Sequence, residues 1–143
     1  MLAATDAPAE ADRLTRHCPA IAPDDAFVPA DVWRGTEALY VQFDLPGVDR
    51  SSIELTVECG TLTLVARRTT PVPADARPVL VQRPAGRFTR CLHLSDALDI
   101  EAAEVAYDNG VLTLRIPLAA HAEPRKIILS GGAPKRFTVR DSA

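Results

Sequence analysis

Lysine is almost missing from this chain: Lys126 and Lys135 are the only two in 143 residues, and arginine supplies the remaining basic side chains. With a net charge of −3 and no Lys/Arg cluster interleaved with aromatics, the footprint of a nucleic-acid binder is absent. No apolar run approaches the ~18 residues that cross a bilayer. The first dozen residues carry Asp6 and Glu10 and lack the basic-then-apolar core of a signal peptide, so a cytoplasmic location is expected. The three cysteines, Cys18, Cys59 and Cys91, lie far apart, with no CxxC pair and no histidine at ligand spacing. That spacing argues against a disulfide framework or a metal site and predicts three reduced thiols.

Catalytic patterns are missing too. His93, Ser95 and Asp96 fall within four residues of each other, but a triad needs side chains converging from separate elements, and no Gly-x-Ser-x-Gly elbow occurs. The glycines are isolated, so neither GxxxxGK[ST] nor GxGxxG is present to cradle a phosphate. The paired carboxylates Asp24-Asp25 and Asp99/Glu101 sit in segments that read as loops, where solvated charge is the ordinary outcome. No active site and no cofactor are expected.

What the chain does have is an echo. Gly60-Thr61-Leu62-Thr63-Leu64 returns as Gly110-Val111-Leu112-Thr113-Leu114, each copy following a strand-like run and a turn residue. In the run before the first copy, alternation puts Ile53, Leu55 and Val57 on one face and Glu54, Thr56 and Glu58 on the other. Asn109-Gly110 suits the tight hairpin turn because both residues tolerate positive φ. Two hairpins are therefore predicted.

Around them the chain divides into three zones. Residues 1–29 are rich in Ala, Pro and Asp, with Leu14, Ile21, Phe27 and Val28 scattered and no sustained period; they read as a flexible arm with room for one short helix. Residues 30–118 fit a single domain. Here Asp31–Arg34 and Ala38–Leu45 are strand-like, residues 68–86 form a proline-interrupted excursion in which Val79-Leu80-Val81 suits an edge, and a further strand opens at Gly86 with Arg90 in its middle. Residues 119–143 are a polar tail interrupted by Ile127-Ile128-Leu129, an apolar triplet that needs a partner. Short strands at regular spacing with few helix candidates predict an all-β, immunoglobulin-like antiparallel sandwich.

Four segments in order carry a family resemblance: Asp44-Leu45-Pro46-Gly47-Val48 with the Ile53–Val57 strand, Gly86-Arg87-Phe88-Thr89-Arg90, Asn109-Gly110-Val111-Leu112, and Ile127-Ile128-Leu129 after Arg125-Lys126. Together they resemble the bacterial small heat-shock proteins, the α-crystallin domain family, over residues 30–129. The resemblance implies a chaperone that holds partly unfolded clients without ATP and assembles into a homo-oligomer. It implies strand exchange through Val79, Leu80 and Val81, with Arg90 paired to a carboxylate near that dimer interface. It places Ile127 and Leu129 in a groove of another dimer lined by Ile53, Leu55, Val57, Val105 and Tyr107, and it makes Leu14, Ile21, Phe27 and Val28 of the arm the client-binding candidates. A monomeric co-chaperone-like sandwich acting as a binding module is the alternative, and lacks both the exchange loop and the tail motif.

Overall fold

The computed structural model describes residues 7–15, 21–119 and 135–141. A short helix α1 (Ala7–Leu14) precedes strands β1 (Ala30–Arg34), β2 (Ala38–Asp44), β3 (Glu54–Glu58), β4 (Thr61–Arg68), β5 (Gly86–His93), β6 (Glu104–Asp108) and β7 (Val111–Pro117). Two short strands from the tail, β8 (Lys135–Phe137) and β9 (Arg140–Asp141), complete the described elements. They form two sheets in the orders β1-β2-β7-β6-β9 and β5-β4-β3-β8, antiparallel throughout except for the parallel β6–β9 pair. The expected sandwich is present.

The sequence echo is longer in three dimensions than in the text of the chain. Each hairpin is entered through a 3-10 turn, Arg50–Ser52 or Ile100–Ala102, whose preceding aspartate, Asp49 or Asp99, accepts the backbone N–H of Ser51 or Glu101. Each hairpin then turns through two residues with positive φ, Cys59 and Gly60 at 50° and 74°, Asn109 and Gly110 at 50° and 78°. Every element recurs fifty residues later, once in each sheet, with β3–β4 in one and β6–β7 in the other.

Alternation decides which faces meet. Leu39, Val41 and Phe43 of β2 point inward, as do Leu62, Leu64 and Ala66 of β4 and Leu112, Leu114 and Ile116 of β7, and all are buried. Removing such side chains from water contributes about 1.5–3 kcal/mol each, enough to fix the register of every strand that carries them.

Two expectations need correction. Val28, placed in the arm, is 0% exposed and belongs to the core. The backbone beside it is tied down as well: Ala26 donates to the Arg87 carbonyl at 2.9 Å, and Asp44 donates to the Pro29 carbonyl at 3.1 Å. The reduced-thiol expectation fails at Cys91, which is buried in β5 and disulfide-bonded, while Cys59 in the first hairpin turn is free and exposed. Linear spacing shows only neighbours in sequence, and folding brings together residues far apart in it.

Candidate functional site

Between β4 and β5 the excursion, residues 69–85, is exposed along its whole length. Its root is held by Arg68, a buried arginine at the end of β4. The Arg68 Nε donates to the Pro84 carbonyl at 2.9 Å, Nη2 donates to the same oxygen, and Nη1 donates to the Pro46 carbonyl at 2.8 Å. Its guanidinium lies 4.8 Å from the centre of the Phe88 ring. One side chain thus clamps the end of the excursion to the turn between β2 and β3. Beyond the clamp Val79, Leu80 and Val81 stand 98%, 75% and 75% exposed and pair with no strand of the described chain. Three consecutive exposed aliphatic residues, with a bend at Val79 and no strand assigned to them, are unusual on a free surface, where such a patch signals an interaction.

A sheet edge is available for them. Strand β1 is the outermost strand of the five-stranded sheet and pairs only with β2 among the described residues. Its outer face carries Trp33 directly opposite Tyr40, and both rings are exposed.

The arm runs along β5. Asp25 accepts from the Ala22 backbone N–H at 2.9 Å and from Arg87 Nη1 at 2.6 Å. These bonds, the Ala22 one foremost, hold its carboxyl below the ordinary value of 3.8 against the opposing effect of desolvation. Arg90 donates to the Val28 carbonyl at 3.2 Å, and its guanidinium lies 5.0 Å from the centre of the Phe27 ring. Burial lowers its pKa without removing the charge. Within one chain, then, Arg90 holds the arm. Among the arm's client-binding candidates Phe27 and Ile21 are exposed, Leu14 packs partly against the core, and Val28 is inaccessible in this state.

The residues assigned to a groove lie in or against the common core, on or just before two strands. Strands β3 and β6 belong to opposite sheets, and apart from β8 and β9 each would be an edge. Val57, Val105 and Tyr107 are half-buried against the core, while Ile53 and Leu55 are buried in it. Tyr107 Oη lies 2.5 Å from the Leu45 carbonyl and 3.1 Å from that of Val48, which fixes the ring at one end of the cleft. The cleft is occupied by the chain's own residues 135–141. Register puts Phe137 opposite Leu55 and Arg136 opposite Thr56, and the segment then crosses to β6, where Arg140 lies beside Ala106. Phe137 and Val139 pack against the core. The triplet Ile127-Ile128-Leu129 lies outside the described residues.

With this geometry in view, comparison with known proteins is decisive. The model of the Hsp20/alpha crystallin family matches residues 31–130. The chain belongs to that family. An 18 kDa heat shock protein of Streptomyces albus G is 40% identical over 139 residues, covering 95% of this chain and 97% of that one. Among solved structures, hspA of Xanthomonas axonopodis superposes with a TM-score of 0.59 at 29% identity, covering 66% of this chain and 95% of the other. A small heat-shock protein of Xylella fastidiosa, described as having a distinct high order structure, superposes with a TM-score of 0.61 at 27% identity, covering 73% and 96%. The family is one of small heat-shock chaperones rather than enzymes. No helix among the described residues is long and apolar enough to cross a membrane.

Sequence reading missed two parts of the site. Arg68 gave no signal, because an arginine at the end of a strand is ordinarily solvated and only the fold brings two proline carbonyls to it. Phe137 and Val139 do carry a signal in their spacing of two, but it is weaker than that of the denser apolar triplet ten residues earlier.

Proposed function

We propose that this small heat-shock protein is an ATP-independent holdase that captures partly unfolded chains and keeps them from aggregating under stress, and that it works as a homo-oligomer. The observation that carries this reading is the 98%, 75% and 75% exposure of Val79, Leu80 and Val81 on an excursion rooted by Arg68. A clamped root and an unpaired aliphatic segment are what strand exchange needs. Added to the β1 edge of a second copy, the segment gains the backbone partners it lacks in its own chain. Arg90, which within the chain donates to the Val28 carbonyl, would pair in the dimer with a carboxylate of the neighbour.

Dimers then join through tails, Ile127 and Leu129 of one entering the β3/β6 cleft of another. A spacing of two projects both side chains to one face, and burying two aliphatics contributes on the order of 3–5 kcal/mol before ordering costs. Contacts of that strength exchange readily. Clients meet Ile21, Phe27, Trp33 and Tyr40 on the surface, and many copies in one assembly make individually weak contacts effective.

The test is aggregation of a heat- or reduction-sensitive client with the chaperone at near-stoichiometric ratio and no nucleotide. Suppression is expected, and dependence on ATP counts against the reading. Replacing Ile127→Ala and Leu129→Ala should reduce a large oligomer to dimers with thermal unfolding nearly unchanged. A native mass equal to one chain for the unmodified protein would instead favour the monomeric binding module.

A further inference from the structure

The tail contains the same short phrase twice. Pro124-Arg125-Lys126-Ile127-Ile128-Leu129 is followed ten residues later by Pro134-Lys135-Arg136-Phe137-Thr138-Val139: proline, two basic residues, then large apolar residues at a spacing of two. The second copy is the one seated in the β3/β6 cleft. Phe137 and Val139 are half-buried against the core while Arg136 and Thr138, between and before them, face solvent. The strands that frame the cleft are bracketed by carboxylates, Glu54 and Glu58 on β3 and Glu104 and Asp108 on β6, all exposed. An acidic rim around an apolar slot suits a basic pair leading an apolar pair, and both copies have that order.

We infer that the cleft is a shared socket for which the two copies compete, Phe137 and Val139 closing it within the chain and Ile127 and Leu129 of a second copy entering only when they leave. The inference rests on the tail docking argued above and adds regulation to it. A segment tethered to the same chain acts at millimolar effective concentration, so even a weak internal plug keeps most sockets closed. A socket open in one molecule in ten binds an external segment about tenfold more weakly than its intrinsic affinity. Assembly is thereby held below its maximum, and conditions that loosen strands as short as β8 and β9, of three and two residues, would open the socket first.

The test uses a fluorescent peptide of residues 122–131 titrated by anisotropy into the full chain bearing Ile127→Ala and Leu129→Ala, so that the peptide is the only source of the first phrase. Adding Phe137→Ser and Val139→Ser should tighten binding about tenfold. Excess unlabelled peptide of residues 133–141 should reverse that gain by competition. Equal affinity with and without the serine substitutions, or failure of the second peptide to compete, overturns the inference while leaving tail docking intact. No binding to either protein overturns tail docking itself. A loss of many degrees in the unfolding midpoint on substituting Phe137 and Val139, with no gain in peptide affinity, would make the segment a permanent pair of sheet strands and would also overturn it.

Discussion

Gly110 lies hard against Pro46: a Cβ built on the glycine would fall 2.9 Å from the proline Cα, and the Gly110 carbonyl accepts the Leu45 N–H at 2.7 Å. Two segments more than sixty residues apart, the turn after β2 and the turn between β6 and β7, are thus one structural unit. The same unit carries the Tyr107 hydroxyl and the Pro46 carbonyl that receives Arg68.

Gly110→Ala is therefore expected to cost about 2–4 kcal/mol, roughly 1–2 for left-handed backbone at φ 78° and the rest for moving Pro46. Chemical denaturation reads this directly. A change smaller than about 0.5 kcal/mol would mean the two turns are not in contact.

Cys59 occupies the position that Asn109 holds in the other hairpin, with the same φ of 50°, yet cysteine is poorly suited to that region. Cys59→Asn should stabilise the domain by about 0.5–1 kcal/mol, and the reciprocal Asn109→Cys should destabilise it by a similar amount. Both side chains are exposed, so packing changes do not confound the comparison. Opposite signs in paired denaturation curves are the expected result.

The hairpins were legible because alternation is strict and because asparagine-glycine announces its own turn. Val28 was not, since a single valine among prolines and alanines has no periodic neighbours and its burial depends on β2 and β5 approaching it. Nor was the clamp at Arg68 legible, as the value of a buried guanidinium lies in acceptors delivered from distant turns. The cleft lay between these cases. Its walls at Leu55, Val57, Val105 and Tyr107 could be read from period two, whereas its occupant within the chain was visible only as a repeat of Pro124–Leu129 at Pro134–Val139.

The arm is predicted to detach in acid. Asp25 has its pKa lowered chiefly by the Ala22 N–H, with Arg87 adding to it, so ionised Asp25 stabilises the docked arm at pH above the unfolded value near 3.8. That stabilisation is lost as pH falls through the lower folded value. Hydrogen exchange at the Ala26 amide, protected by the Arg87 carbonyl at neutral pH, should accelerate in that window relative to amides of β7. Asp25→Asn should bring fast exchange at neutral pH and flatten the dependence. Unchanged protection in the variant would show that the carboxylate does not hold the arm.

Dimerisation through the excursion makes the sharpest demand on this structure, and the position of Arg68 dictates how to make it. Removing Pro84 would take away the acceptor of both Nε and Nη2 and strand a buried cation, a loss of several kcal/mol unrelated to exchange. Deleting only residues 79–82 leaves that acceptor in place and removes exposed side chains with no strand partner among the described residues. The shortened chain should unfold within a degree or two of the parent while its sedimentation falls to that of a monomer. Arg68→Ala should do the reverse, losing about 2–4 kcal/mol of stability while dimers persist wherever the fold does. If the deletion variant stays dimeric, the exchanging strand is not Val79–Val81, and the exposure of those residues must serve client capture instead.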